Sequence, residues 1–200
     1  MSYAAVGMMY PVFAPIVSHT PGSMPVYGTG RVIQEARVVT VTKEFIDNPL
    51  YGDDGIQDED NGLSGLQLEF ESTGLTDEDR AVLFEEEAAI TSMGGQWEGT
   101  NATPYGGFAY IRKMKDKTAS SGYNYEVWLT LKIKFQETRQ EARTKEGNQI
   151  TWGTPTLSGR AAALDVDGSH QRFRLHRTFD TIGAAKSWLN TLLNVSVATT

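Results

Sequence analysis

The clearest pattern along the chain lies at residues 123–136. Tyr125, Val127, Leu129, Leu131, Ile133 and Phe135 are apolar at every second position there. Glu126, Thr130, Lys132 and Lys134 fill most of the alternate positions, with Trp128 the exception. This sustained period of two predicts a long strand with one buried face. Strands in compact domains average about 5–6 residues, so this length suits a barrel or an assembly. Leu66, Leu68 and Phe70 alternate with Gln67, Glu69 and Glu71 and predict a second such strand over residues 63–71. Residues 31–46, rich in Val and Thr, and residues 108–114, after the turn Pro104-Tyr105-Gly106-Gly107, predict two more. Residues 154–164 and 170–179 flank Asp165-Val166-Asp167-Gly168, which predicts a hairpin. Residues 6–17 predict an edge strand, because Pro11 and Pro15 cannot donate to a ladder.

Two helices are expected. Thr76 is placed to cap the first, with Asp77, Glu78 and Asp79 complementing the helix dipole. Ala81, Phe84 and Ala88 would share a face, and the helix would end before Gly94-Gly95. The second, over residues 181–193, carries an apolar stripe of Ile182, Ala185, Trp188, Leu189 and Leu192 suited to docking on a sheet. Two long irregular segments are expected between strands: an acidic, Gly-rich loop at residues 47–62 and a charged loop at residues 138–152. The whole reads as one mainly β (α+β) domain over residues 1–200, a sandwich or barrel with the helices packed outside.

Charge sharpens this picture. Residues 44–87 carry 15 acidic side chains and one basic one, Arg80, while the rest of the chain has a net charge of +7. This acidic stretch repels nucleic acid, and it is positioned to attract the basic remainder of another copy. With a pI near 5.0, sequence-specific DNA binding through Arg112, Lys113, Lys115 and Lys117 is not expected. A basic patch meeting another subunit's acidic loop explains the same residues. The apolar start of the chain lacks a basic residue and is interrupted by Pro11 and Pro15, so neither a signal peptide nor a membrane segment is expected.

Catalytic chemistry is not nominated. Without cysteine there are no disulfides, thiol nucleophiles or Cys-based zinc sites. His19, His170 and His176 show no metal-ligand spacing, and His176 reads as part of a surface basic stripe with Arg172 and Arg174. Residues 53–62 have the composition of a calcium loop without its spacing: counted from Asp58, the third ligand falls on Gly62 and the obligatory Gly on Leu63. No G-x-S-x-G is present, and Gly28-Thr29-Gly30 is too short for a phosphate cradle. Glu85-Glu86-Glu87 reads as a solvated helix face.

An ordered set of short segments remains. It comprises Leu50-Tyr51-Gly52-Asp53-Asp54-Gly55, residues 66–74, the acidic helix at residues 76–89, and Pro104-Tyr105-Gly106-Gly107-Phe108-Ala109-Tyr110-Ile111-Arg112. Tyr125-Glu126-Val127-Trp128-Leu129, Thr144-Lys145-Glu146-Gly147, Thr154-Pro155-Thr156-Leu157-Ser158-Gly159-Arg160 and a terminal helix with Trp188 complete it. In order and spacing, over about residues 7–194, the chain resembles the major tail proteins of long, non-contractile-tailed bacteriophages.

The resemblance implies a β-sandwich with a flanking helix. Six copies would close into a ring walled by a continuous β-barrel, and stacked rings would form the tail tube through which DNA is ejected. It implies no enzymatic activity, cofactor or metal. The implied partners are other copies of the chain and the tape measure, terminator and distal tail proteins. DNA would pass without specific binding, and the protein would sit in the virion after assembly in the host cytoplasm. The immunoglobulin-like C-terminal domain of some members is not expected. Glu69 and Glu71, on a polar strand face, are candidates to face the lumen; Asp53, Asp54, Asp58, Glu59 and Asp60 are candidates for an inter-ring loop. Two alternatives stand beside this: a related ring protein, such as a tail terminator or a secretion-system tube subunit, and a β-sandwich carbohydrate-active enzyme using Trp97, Trp128 and Trp152 as a sugar platform.

Overall fold

The computed structural model describes residues 4–33, 36–45, 48–52, 55–60, 62–88, 96–97, 103–116, 119, 121–139 and 154–195. The chain opens with β1 (Ala4–Ser18), β2 (Val26–Tyr27), β3 (Arg31–Val32), β4 (Ala36–Phe45), β5 (Asn48–Gly52), β6 (Gly55–Asp60) and β7 (Leu63–Ser72). Helix α1 (Asp77–Phe84), β8 (Glu87–Ala88), β9 (Gln96–Trp97), β10 (Gly106–Lys115) and β11 (Tyr123–Arg139) follow. Then come β12 (Thr156–Ala161), β13 (Leu164–Asp165), β14 (Gln171–Arg172), β15 (Arg174–Phe179) and helix α2 (Ile182–Leu192). The fold is mainly β with two helices, as the alternation predicted. No helix among the described residues is long and apolar enough to cross a membrane.

One antiparallel path runs β2-β1-β10-β11-β12-β7-β4, with β3 added to β1 and β15 to β11. β11 joins its two halves. Its first half pairs with β15, from Tyr125↔Phe179 to Thr130↔Arg174. Its second half pairs with β12, from Ile133↔Ala161 to Arg139↔Thr156. Between them Gly106 faces Ile133 while Phe108 faces Thr130, so β11 carries one residue more than β10 there. Such a bulge bends a strand and lets it pass from one layer of a sandwich to the other.

Two cores result. In the first, Ala185, Leu189 and Leu193 of the α2 region pack on Val12, Ala14, Ala109, Ile111, Val127, Leu129 and Leu131. Thr181 caps α2 by accepting from the Ala184 amide, and Trp188 meets Phe179 at 5.6 Å. Tyr27 is buried here and donates to the Leu131 carbonyl at 2.8 Å; burial raises its pKa. The second core lies between the two halves of the sheet. Phe108 meets Phe70 edge-on at 5.4 Å and Phe135 at 5.2 Å, with Leu66, Leu68, Ile133 and Leu157 around them. Burying each such side chain contributes about 1.5–3 kcal/mol, and an aromatic pair about 0.5–1.5 kcal/mol more. Gly159 is required at this contact: a Cβ there would stand 2.9 Å from both Ile133 Cδ1 and Phe135 Cδ1.

Helix α1 closes one end of the second core with Leu83. It forms because Thr76 and Asp79 make a reciprocal capping box. Asp79, only 2% exposed, also accepts from Arg31 Nε at 2.6 Å. Arg80 ties the helix to β11 through Glu137 at 3.0 Å and also holds Glu86 at 3.2 Å. Burial opposes the Arg80 charge, yet the two carboxylates outweigh it and raise its pKa.

Four expectations are corrected. The helix stops at Phe84, well before Gly94-Gly95, because Glu85 turns left-handed at φ 54°. Three glutamates at a helix C-terminus would also oppose the dipole. Glu87 and Ala88 instead pair with Trp97 and Gln96, so Ala88 is not on the helix face. β1 is not a plain edge strand: β10 lies along one side, and β2 and β3 cover parts of the other. Its prolines fit because Tyr10, at φ 55°, and Pro11 fall within a register shift, while the Pro11 and Pro15 carbonyls accept from Ile33 and Gly28. The described part of the segment 47–62 is a hairpin rather than an irregular loop, since β5 pairs with β6 from Asn48↔Asp60 to Gly52↔Gly55. Of the segment 138–152, Thr138 and Arg139 belong to β11, and residues 140–152 lie outside the described residues.

The turn at Asp165-Val166-Asp167-Gly168 is present. The Gly168 amide donates to Asp165 at 2.6 Å, and the Ser169 and His170 amides donate to Asp167 at 3.0 and 2.8 Å. Its hairpin is short, however: β13 pairs with β14, while β12 and β15 each pair with a different half of β11.

Candidate assembly surface

The sheet half made of β4, β7, β12 and the end of β11 buries one face in the second core and leaves the other bare among the described residues. Registers set out that bare face in rows. Thr40, Glu69, Ser158 and Gln136 stand side by side across the four strands, and Thr42, Gln67, Arg160 and Lys134 form the next row. Val38, Glu71 and Thr156 lie on the opposite flank of the first row. The pleat dictates this: Leu66, Leu68 and Phe70 point inward, so Gln67, Glu69 and Glu71 point outward.

The face is electrically divided. Glu69 is exposed and Glu71 half-buried at one end, and neither has an ion-pair partner among the described residues. At the other end Lys132 and Lys134 lie over the Tyr105 ring, at 4.6 and 5.6 Å from its centre, and Arg160 meets Glu44 at 2.8 Å. A shallow depression lined by Glu44, Gln67, Tyr105, Lys134, Gln136 and Arg160 lies there. Sequence reasoning placed Glu69 and Glu71 on this face. It also put Lys132 and Lys134 on a polar strand face without joining that face to β7. Tyr105 was read only as part of a turn.

Both flanks of this sheet are open among the described residues. β4 pairs with β7 alone, and residues 134–139 of β11 have no strand on the side that β10 occupies earlier. Val38 and Phe45 on β4 are exposed, Phe45 by 59%. Open edges of this length invite pairing with another chain.

The acidic hairpin is a separate two-stranded sheet whose register matches the last β4–β7 pair, beyond the shift at Glu44. Phe45 faces Leu63 at the end of β4–β7, and Asn48 faces Asp60 at the start of β5–β6, with the same number of residues intervening on each strand. Asp58, Glu59 and Asp60 therefore sit in β6 opposite Leu50, Pro49 and Asn48. Asp53 and Asp54 lie outside the described residues.

Other candidates are dispersed. Trp128 is partly buried between the sheet halves, stacked on His176 at 4.7 Å with the Arg174 guanidinium over it at 4.2 Å. The basic stripe is thus partly an inner feature: Arg174 donates to Tyr110 Oη at 3.0 Å, whereas Arg172 reaches Asp167 in the turn. Only the backbone of Trp97 is described, and Trp152 and Lys117 lie outside the described residues. No group of three His, Asp or Glu side chains among the described residues is placed to hold a metal ion. No protein-family model matches the chain, and no curated protein matches it.

Proposed function

We propose that the protein is a structural subunit that closes into rings by strand pairing between copies and stacks those rings into a tube, in the manner of a phage tail tube that conducts DNA. The observation that carries this reading is one four-stranded sheet half whose polar face is bare and whose two edges are unpaired among the described residues. Pairing β4 of one copy with the end of β11 in the next satisfies both edges at once. Because the two edges differ, the contact is heterologous, and repetition gives a ring or a filament. The bare face then lines the bore, with Glu69 and Glu71 at one end of it. Fixed negative charge there keeps DNA sliding rather than bound.

In this reading Asp58, Glu59 and Asp60 on the β5–β6 hairpin bridge successive rings. The tape measure, terminator and distal tail proteins would meet the tube at its ends or in its bore. Negative-stain electron microscopy of the concentrated protein is the direct test: tubes of stacked rings support the reading, single rings point to a terminator, and dispersed monomers at every concentration refute it.

Two variants probe the assigned parts. Glu69→Lys with Glu71→Lys should leave subunit stability within about 0.5 kcal/mol, as is usual for surface changes, and should slow DNA ejection from intact tails. Unchanged ejection kinetics would remove both residues from the bore. Deleting residues 53–60 should leave a folded subunit that makes no tubes, and normal tubes would take the hairpin out of assembly.

A further inference from the structure

We propose that the cleft between the start of β1 and β4 receives the acidic β5–β6 hairpin of a second copy. The inference deepens the tube-subunit reading and rests on it. The cleft encloses about 600 Å³ and lies where Ala5–Met8 approach Val38–Val41. Arg37, Lys43, Arg112 and Arg174 line it together with Tyr110 and Trp128. One carboxylate offsets these four cations among the described residues: Glu126, 3.7 Å from Arg112. Arg37, Lys43 and Arg174 have no acidic partner there. Arg174 Nε and Trp128 Nε1, both buried, also lack a hydrogen-bond acceptor. A buried donor without an acceptor is costly, so a site with two of them among the described residues favours an incoming oxygen-rich group.

The complementary charge is on the same polypeptide but in another place. β6 carries Asp58, Glu59 and Asp60 within the acidic stretch of residues 44–87, whose single cation, Arg80, is already held by Glu86 and Glu137. β5 leaves the end of β4 and β6 returns to the start of β7, so the hairpin belongs to the far end of that sheet half. Carboxylates entering the cleft of a neighbour would meet three cations without acidic partners among the described residues, in a partly enclosed site where ion pairs are screened less than at an open surface. Such a contact fixes both register and partner, because a like-charged surface is rejected.

The absence of cysteine makes the test clean. A Lys43→Cys copy and a Glu59→Cys copy are mixed under mild oxidation, with Arg37→Cys as a second cleft position should the first disturb folding. Docking should produce disulfide-linked heterodimers at least about tenfold faster than either variant alone yields homodimers, since it raises the local thiol concentration. Adding Arg37→Glu to the Lys43→Cys copy, or raising the salt with either cleft variant, should abolish that excess. Equal rates in mixed and single samples overturn the proposal. So does a cleft that binds a fluorescent oligodeoxynucleotide yet gives no heterodimer. Electron microscopy of the same samples separates the two readings. Tubes without the cross-link leave the tube reading standing and remove the cleft. The cross-link without tubes keeps the pairwise contact and removes the tube.

Discussion

The two halves of β11 carry one unbroken alternation yet live in different surroundings. In the first half Val127, Leu129 and Leu131 lie under α2, while Trp128 and Thr130 turn toward the second core, Trp128 also lining the cleft beside it. In the second half Ile133 and Phe135 fill that second core, while Lys134 and Gln136 lie on a face that nothing covers among the described residues. Neighbouring strands flank the first half on both sides, whereas one flank of the second half has no strand among the described residues. A polar outer face is ordinary for an antiparallel sheet. A ten-residue edge strand without a partner on one side among the described residues is a site where another chain can pair. The difference separates a half whose strands are paired on both sides from one that neighbouring copies would complete in the proposed assembly.

The sharpest way to break this comparison is through the core the halves share. Phe108→Ala should destabilise the dilute subunit by about 3–5 kcal/mol and lower its melting transition as a single cooperative step. A loss below about 1 kcal/mol, or two separate transitions, would mean that the halves fold independently. Next in size is a pair of adjacent residues on β12. Gly159→Val should cost about 1–3 kcal/mol by overpacking against Ile133 and Phe135. Ser158→Val, on the bare face, should stay within about 0.5 kcal/mol in denaturant titrations. Equal costs would contradict the assignment of inner and outer faces.

The smallest effect lies in the exposed carboxylate of the turn between β13 and β14, at the margin of the first core. Backbone amides of Ser169 and His170, with Arg172, lower the Asp167 pKa to about 2. A depressed carboxylate stabilises the turn above its unfolded pKa of about 4, and that contribution disappears as the pH falls toward about 2. Carboxyl NMR should show Asp167 titrating near that value, with loosening of residues 165–170 alone. An ordinary titration would show that the Asp167 hydrogen bonds do not persist in solution.

Much of the fold was legible because burial imposes period. β7, β11 and α2 follow directly from Leu66-Leu68-Phe70, Tyr125-to-Phe135 and the Ala185-Leu189 stripe. The passage of β11 between layers was not legible, and for a physical reason: the bulge flips the strand where it changes core, so apolar residues stay on odd positions throughout. The early end of α1 rests on a left-handed Glu85 that helical spacing does not reveal. The β5–β6 hairpin hid because its Gly-rich, acidic composition lacks alternation, although its register matches the last β4–β7 pair. Glu69 and Glu71 were placed by parity alone. The cleft cations come from β4, β10 and β15, and only the topology brings them together.

Amide hydrogen exchange, followed from dilute to concentrated protein, tests the completion of the open half most directly. The amides of Ala36–Phe45 that β7 does not hold, and those of residues 134–139 on the open flank of β11, should pass from fast exchange to strong protection on assembly. Exchange at those amides as fast in the concentrated sample as in the dilute one would contradict pairing between copies.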